Sequence, residues 1–525
     1  MLRVETLTRA RPIRINWMLA AGLGLLPVAG ILALGAGLSI KQVPATGGTL
    51  RLAFGGGSTF INPLLASSDT DVAISATLFP GLVDRTAVGG LTPGLAFSWN
   101  ISAAGRTYTF RLNPGLSWQN GKPVTAYDVA YTYRLLASTS FPTHSDEWSG
   151  VRVTTPGRLT VVVHLPRPNY TFAQDATVGI IPNRYSGSRW PVGAGLFRLA
   201  RVSRSRALLA NTAVPGATTA YTSRLSFMFR ATPGSTPDLS CNSSFAPLPP
   251  ATAIPTTRLL GLVFNYGALP HRNVRKALIS VLSHAKVPAL AALSSPTPIW
   301  PAAFGPAVSP PVGSARRPAT GSRPADLVHS ASQRTLMRRA GWRLRSGRWH
   351  ARRHTITLNL VASLDPHETP FVNAIAAAWR RNGFGVSVQR LSFSALVRGA
   401  LYPGRFSAAV VDWDFGSPDY VPGELWRRNA SLNFGHEADA AVTTLANQVP
   451  VSPSAATRNA LRERIGNRLV SDGAAVGLAP EVYVCHASKR LHGYTPPTLV
   501  TDAGGLVLGH QGWYTGTRLV VKNPF

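Results

Sequence analysis

The chain has 525 residues, of which 45% are hydrophobic, so it can bury a large core in two or three domains and is not a disordered polymer. Its 53 Lys and Arg residues against 22 Asp and Glu give a formal net charge of +31. The basic residues are spread along the whole chain, with local groups at Arg338-Arg339 and from Arg343 to Arg353. Nucleic-acid binding requires basic residues clustered with aromatic platforms, so we expect no nucleic-acid partner.

An apolar run from residue 17 to residue 40 opens the chain, and four arginines precede it. The run is long enough to span a bilayer, and the arginines favour a cytoplasmic N-terminus with the rest of the chain outside. We therefore expect residues 1–45 to be a signal or anchor segment and the protein to be extracytoplasmic. Both a cleaved signal peptide and a retained membrane anchor stay open.

The chain has two cysteines, Cys241 and Cys485. An even count in an oxidising compartment permits one disulfide without requiring it. Two cysteines so far apart form no metal-binding knuckle, and we expect no metal or other cofactor.

The first half of the chain is rich in strand patterns. Apolar alternation predicts strands at residues 47–54, 106–112, 158–165 and 223–229. Thr125 and Asp128 form a capping-box pattern, which predicts a helix after the Asn120-Gly121 turn.

A segment rich in Pro, Ser, Gly and Ala covers about residues 296–325 and predicts a surface loop. After it, helix patterns at 332–342 and 370–383 alternate with strand patterns at 355–362 and 384–391. This alternation predicts an α/β lobe. A buried strand at 407–413 then leads into the acidic sequence DWDFGSPD, residues 412–419, and ligands of α/β sheets bind beyond the carboxyl ends of such strands.

The acidic sequence does not fit an enzyme site. A glycosidase needs a second carboxyl group at a fixed separation, and no partner is evident. No G-x-S-x-G elbow is present, so we expect no catalytic residues. Trp413 beside Asp414 suits the cationic end of a peptide or amine, although aspartates after a strand often only cap loop amides.

Several segments, in this order, resemble the family 5 solute-binding proteins of ABC importers. They include GGTLRLAF, LFPGLVD, SWQNGKPVTAYDVAYTY, PVGAGLFRL, LLGLVFNYGALPHRNVRKAL and VVDWDFGSPD. The resemblance implies a two-lobe periplasmic-binding-protein-like α/β fold with a hinge. It implies a first lobe at 46–258 that includes an extra β-rich subdomain at about 79–187, a second lobe at 259–486, and a return to the first lobe at 487–525.

The same resemblance implies a non-enzymatic receptor that captures a peptide or another small solute and delivers it to an ABC permease, and we expect a monomer. We expect ligand contacts from residues of both lobes and the hinge: Phe60, Asn62, Asn265, Tyr266, Trp413, Asp414 and Asp419. In peptide-binding relatives, an aspartate three residues after this tryptophan pairs with the ligand's amino group, and here that position is Gly416. The solute class therefore stays open. The rival interpretations are an extracellular hydrolase and a module that binds anionic envelope polymers.

Overall fold

The computed structural model describes residues 39–522 except 57–60, 67, 88, 139–147, 186–190, 213–219, 230–235, 247–249, 251, 286–332, 353 and 418. Within these ranges, no helix is both long and apolar enough to cross a bilayer. The predicted membrane run lies outside them except for Ser39 and Ile40. These two residues begin strand β1 (Ser39–Pro44), which pairs with strand β21 (Thr517–Lys522) near the other end of the chain.

The remaining strands alternate with helices along the chain. Strands of the first part are β2 Thr49–Ala53, β3 Val83–Arg85, β4 Leu91–Pro93, β5 Ala96–Ile101, β6 Thr107–Leu112, β7 Arg152–Gly157, β8 Thr160–His164, β9 Phe197–Val202, β10 Arg206–Asn211, β11 Arg224–Met228 and β12 Leu239–Phe245. Strands of the second part are β13 Ile254–Phe264, β14 Arg343–Arg345, β15 Arg348–Ala351, β16 His354–Thr355, β17 Thr357–Ser363, β18 Gly385–Leu391, β19 Ala408–Asp414 and β20 Ala475–Ala487.

The α-helices are α1 Asp69–Leu78, α2 Ala126–Ala137, α3 Arg272–Ser283, α4 Gln333–Arg339, α5 Thr369–Arg381, α6 Phe393–Ala395, α7 Gly423–Trp426, α8 Ala440–Val451, α9 Ala455–Asp472 and α10 Ala503–Leu506. Short 3-10 helices occur at Phe172–Thr177, Pro366–Glu368 and His510–Gly512, and a π-helix at Leu396–Leu401. Helix α2 begins as predicted, because the backbone N–H of Thr125 donates to Asp128 Oδ2 at 2.8 Å in a capping box.

One ten-stranded sheet runs through the molecule in the order β18-β17-β19-β13-β20-β12-β2-β11-β10-β9. Strand β20 is shared, because its first part pairs with β13 and its last part pairs with β12. A separate antiparallel sheet, β5-β6-β8-β7, packs with α2 and is the β-rich addition that the sequence predicts.

The buried apolar residues form three cores. The first contains residues of β2, α1, the four-stranded sheet and the end of β20, and we call the part of the chain around it the first lobe. The second and third cores contain residues of β13, β17 and β19, and we call the part around them the second lobe. Strands β13 and β20 each contribute to both lobes, as the predicted hinge requires. The residue boundaries at 258/259 and 486/487 stay predictions.

Cys241 and Cys485 are directly opposite each other on β12 and β20 and form a disulfide. The sequence left this pairing open. In the structure it joins the first-lobe sheet to the end of a strand that crosses between the lobes.

Candidate functional site

The predicted acidic segment lies where β19 ends beside the crossing strand β13. Asp414 is opposite Arg258 in the antiparallel register, and Asp412 is opposite Leu260. Because successive side chains of a strand point to opposite faces, Trp413 is buried while its two aspartate neighbours point the other way. The three acidic residues of the segment therefore have three different environments.

Asp412 shares one arginine with a second carboxylate. The Arg258 guanidinium forms ion pairs with Asp412 and with Glu481 of β20, the latter at 3.1 Å. Thr256 Oγ1 donates to the other oxygen of Glu481 at 3.1 Å. Burial raises the pKa of Asp412 to about 6 and that of Glu481 to about 7, and the charge of Arg258 only partly offsets this effect. This cluster lies on the strands that cross between the lobes.

A first-lobe carboxylate reaches the same crossing strand. Tyr483 on β20 donates its hydroxyl hydrogen to Asp69 Oδ1 at 2.9 Å, and Ser243 Oγ lies 3.4 Å from Asp69 Oδ2. Asp69 is the first residue of α1, and burial raises its pKa. Helix α1 is thereby hydrogen-bonded to the hinge region.

Asp419 lies between two arginines of α9. Arg458 Nε is 3.0 Å from each carboxylate oxygen, and Arg462 Nη2 is 2.8 Å from Oδ1. Burial acts to raise the pKa of Asp419, but the hydrogen bonds and charges of the two arginines outweigh it and lower the pKa. The charge that we predicted for a cationic ligand is already paired within the second lobe.

Trp413 belongs to the third core. Its side chain is 5% exposed and packs edge-to-face on Trp426 with 5.5 Å between ring centroids. The ring also covers Gly261, where an added Cβ would lie 1.9 Å from the indole. Trp413 therefore packs within the second lobe in this structure, and its place in the wall of a ligand cleft stays a prediction.

Asp414 is the exposed member of the acidic segment. Its Oδ1 accepts a hydrogen bond from the backbone N–H of Gly416 at 2.8 Å, and Gly416 has a φ of 62°. A positive φ favours glycine, so the turn explains why the position of the relatives' aspartate carries no side chain here. Asp414 caps this loop.

Both predicted asparagines cap backbone groups. Asn62 Oδ1 accepts from the N–H of Leu64 at 2.9 Å. Asn265 is 3% exposed and donates to the carbonyl oxygens of Gly404 at 2.8 Å and Phe406 at 3.0 Å. The described contacts of these two residues are structural.

The structure describes one of the last two predicted residues, Tyr266. The ring of Tyr266 lies under the guanidinium of Arg275, 3.8 Å from its carbon to the ring centroid. Phe60 lies outside the described residues. Ligand contact by any of the seven predicted residues stays a prediction.

A cavity of about 390 Å³ lies beside the acidic segment, and the sequence did not reveal it. First-lobe residues form most of its wall, and Gly416 is the wall residue that comes from the second lobe. Thr257 connects it to the acidic segment, since its hydroxyl lies 3.5 Å from both Asp414 Oδ1 and the carbonyl oxygen of Thr501, another wall residue. Polar residues of the wall include Ser75, Asp84, Arg85, Gln174, Asp175 and Asp502.

Arg85 spans this cavity from β3. Its guanidinium donates to Gln174 Oε1 at 2.5 Å and to the carbonyl oxygen of Gly416 at 3.3 Å. Burial lowers the pKa of Arg85, and the charges of Asp502 and Asp175 partly restore it. The bond to Gly416 is a direct contact between the two lobes.

Two carboxyl groups flank Arg85. Asp84 is half-buried, and loss of solvent raises its pKa to about 6. Asp502 is exposed, and its Oδ1 accepts from the N–H groups of Gly504 at 2.8 Å and Gly505 at 3.3 Å at the start of α10. Ser75 is 2% exposed, and its Oγ has no hydrogen-bond partner among the described residues. Convergent polar groups with shifted pKa values are typical of a binding site.

A larger cavity of about 680 Å³ lies between the extra β-sheet and α8. It also touches both lobes, because the N–H of Tyr170 donates to the carbonyl oxygen of Pro450 at 2.8 Å. Among the described side chains, its wall contains two arginines, Arg167 and Arg427, and no carboxylate. The smaller cavity has the more specific set of polar groups, and it is our candidate site.

Solved structures share this fold over most of the chain. AppA of Bacillus subtilis, in complex with a nonapeptide, superposes with a TM-score of 0.66 at 16% identity, covering 90% of this chain and 100% of AppA. NikA of Brucella suis, in complex with Fe(III)-EDTA, gives a TM-score of 0.68 at 16% identity, covering 89% and 100%. At these identities the likeness shows the two-lobe fold.

Residues 90–239 match the family described as bacterial extracellular solute-binding proteins, family 5 Middle. This match covers less than a third of the chain. A 63-residue segment of the chain is 40% identical to the periplasmic oligopeptide-binding protein OppA of Haemophilus influenzae, covering 12% of each protein. A 76-residue segment is 34% identical to the periplasmic murein peptide-binding protein MppA of Escherichia coli, covering 14% of each. These relatives are binding proteins, and the matched segments span only 12% to 14% of their length.

Sequence reasoning missed the residues of the candidate cavity. Asp84 is the last residue of the quoted motif LFPGLVD and Arg85 directly follows it, and Asp502 precedes Ala-Gly-Gly in a helix-capping pattern. Each signal is local, and none indicates that the three side chains meet.

Proposed function

We propose that this chain is the substrate-binding component of an ABC importer and captures a small solute between its two lobes. The cavity of about 390 Å³ beside the hinge carries this proposal. Small-molecule sites are typically clefts of roughly 300–1,000 Å³ with a few convergent polar groups. A solute there would contact the first lobe through Asp84, Arg85 and Asp502 and the second lobe through the Gly416 loop.

Closure of the lobes would supply the selectivity. A ligand shifts a conformational equilibrium only by its differential affinity for the two states, so a solute that contacts both lobes favours the closed one. The Arg85 bond to the Gly416 carbonyl oxygen, at 3.3 Å, joins the two lobes and would break if they moved apart. Strands β13 and β20 would serve as the hinge between lobes at residues 46–258 and 259–486.

The charges of the cavity favour a peptide-like or amine-containing solute. Asp84, Asp175 and Asp502 line it together with a single cation, Arg85. An excess of carboxylates attracts an ammonium group by charge and by hydrogen bonding. The names of OppA and MppA include peptide binding, which supports this class of solute. Because the volume is at the low end for such sites, we propose a compact solute.

The remaining assignments follow from the family and the sequence. We propose that the protein works outside the cytoplasmic membrane, as a monomer, and delivers its solute to an ABC permease. The apolar run at residues 17–40 supports export, with a signal peptide or an anchor at residues 1–45. The Cys241–Cys485 disulfide is consistent with an oxidising compartment.

The test is native mass spectrometry of the full chain incubated with a pooled library of di- to pentapeptides. We expect a bound species of one solute per chain. Ala76 is exposed on α1 in the cavity wall, so Ala76→Trp should fill the cavity and remove the bound species. Ala377, an exposed alanine on α5, provides the matched control Ala377→Trp, which should bind as the wild type does.

Thermal unfolding of both variants checks that each is folded. Equal binding by Ala76→Trp and the wild type would contradict the proposed site. If the wild type binds no peptide, the pool is replaced by the small molecules that co-purify with the protein from its host. The absence of any bound solute in that second experiment would contradict the proposed function.

A further inference from the structure

We propose that the second lobe docks on an anionic phospholipid membrane through a basic face formed by the β14-β15-β16 hairpin sheet and the ends of α4 and α5. We call this surface the arginine face. Nine exposed arginines define it: Arg334, Arg338, Arg339, Arg343, Arg345, Arg348, Arg352, Arg380 and Arg381.

The arginine face has no nearby counter-charge in sequence. Residues 327–364 contain no Asp or Glu, and neither do residues 369–411. Among the parts of the chain that the structure describes, none of the nine arginines forms an ion pair. By contrast, Arg258, Arg458 and Arg462 are all paired with carboxylates. Within the described residues, no carboxylate neutralises the positive charge of the face by an ion pair.

Packing holds these arginines in one place. Trp349 of β15 is 2% exposed, and its Nε1–H donates to the carbonyl oxygen of Asn382, directly after α5, at 2.8 Å. The backbone N–H of Trp349 also donates to the carbonyl oxygen of Gly383 at 3.2 Å. These bonds fix the hairpin sheet against the α5 end that carries Arg380 and Arg381.

The guanidinium groups of the arginine face suit phosphate. Leu344, although 42% exposed, lies opposite Trp349 in the hairpin sheet and therefore on the other side of it from Arg343 and Arg345. Guanidinium groups bind phosphate in a bidentate geometry, so the phosphate-rich surface of an anionic phospholipid membrane complements this face by charge and by hydrogen bonding.

The arginine face lies at the opposite end of the second lobe from the candidate cavity. Strand β16 leads directly into the amino end of β17, and β17 runs parallel to β19, whose carboxyl end reaches the cavity loop. At 3.3 Å per residue, the two ends are roughly 20–30 Å apart. Docking through this face would leave the cleft open to solute.

The test is co-sedimentation of the full chain with vesicles of phosphatidylcholine, with and without 30% phosphatidylglycerol as the anionic probe. The measured quantity is the ratio of the two partition coefficients, which removes any contribution of the apolar run at residues 17–40. The triple variant Arg343→Gln, Arg345→Gln, Arg348→Gln should lower this ratio on the order of 100-fold, since each basic residue near an anionic bilayer contributes about fivefold. The corresponding triple Lys variant should keep most of it.

The matched control removes the same charge from the first lobe, through Arg198→Gln, Arg201→Gln and Arg206→Gln on β9 and β10. These three arginines are also exposed. The control should change the ratio only a few-fold. Equal losses in the two triple variants would overturn the proposal, because they would show a general effect of net charge. Loss of heparin binding in the first variant, with its vesicle ratio unchanged, would overturn it in favour of a polyanion partner.

Discussion

Asp412 and Asp419 lie seven residues apart in one segment, and arginines contact both, yet their pKa values shift in opposite directions. Asp419 has two arginines to itself, Arg458 and Arg462, and its pKa is lowered. Asp412 shares Arg258 with Glu481, and both carboxyl groups have a raised pKa. The difference is the number of cations per buried carboxylate.

This comparison separates two roles within the acidic segment. The Asp419 cluster is fully charged, lies inside the second lobe and holds α9 against the loop. The Arg258 cluster has fewer cations than carboxylates and lies on the strands that cross between the lobes. A cluster whose charge is incompletely paired is more easily altered by protons or by a change of geometry.

We expect the largest loss of stability when the Asp419 ion-pair cluster is broken. Asp419→Asn would leave Arg458 and Arg462, whose side chains are 8% and 4% exposed, without a counter-charge. We expect the free energy of unfolding to fall by about 3–5 kcal/mol, as for other buried pairs that lose one partner. Urea denaturation measures this, and Asp414→Asn in the exposed part of the segment is the matched control, with an expected change of about 0.5 kcal/mol. Equal losses of unfolding free energy in the two variants would contradict the distinction between the paired Asp419 and the exposed Asp414.

A smaller effect is expected from removing the shared arginine. Arg258→Gln leaves Asp412 and Glu481 without their cation, but the Arg258 side chain is 37% exposed, so solvent already screens its charge. We expect a loss of about 2–3 kcal/mol at pH 8. The loss should shrink at pH 5, because carboxyl groups with pKa values of about 6 and 7 become neutral there. A loss that does not depend on pH would contradict the raised pKa values.

The smallest effect is the pH dependence of stability itself. A carboxyl group with a raised pKa binds its proton more tightly in the folded state than in the unfolded state, where its pKa is about 4. The folded state is therefore favoured at low pH, and this contribution is lost as pH rises from about 4 to about 7. The double variant Asp412→Asn, Glu481→Gln should flatten the curve of unfolding free energy against pH over that window, because it removes both titrating groups. Asp419 has a lowered pKa, so its contribution to the unfolding free energy is present above about pH 4 in both proteins. Superimposable curves for the wild type and the double variant would contradict the raised pKa values of Asp412 and Glu481.

The sequence predicts the local elements well because their signals are local. The capping box at Thr125 and Asp128 begins α2, and the apolar alternation at 106–112 corresponds to β6. The resemblance to family 5 supplied the two-lobe arrangement, which the superpositions confirm. The pairing of β1 with β21 had no local signal, since it joins the two ends of the chain.

The environments of the site residues could not be predicted because distant residues determine them. Trp413 is buried because Gly261 on another strand leaves room for its ring. Asp419 is paired because α9 brings Arg458 and Arg462 to it. An aspartate, a tryptophan and a glycine in a short segment are compatible with a ligand site and with a packed loop, and only the surrounding chain decides between them.

The most direct test of the proposed solute site is hydrogen–deuterium exchange on the full chain with and without the peptide that native mass spectrometry selects. We predict slower exchange in segments that line the 390 Å³ cavity, at residues 81–85, 174–179 and 501–508, together with the loop at Gly416. Slower exchange only around the 680 Å³ cavity, at residues 165–169 and 446–451, would contradict the assignment and place the solute there instead.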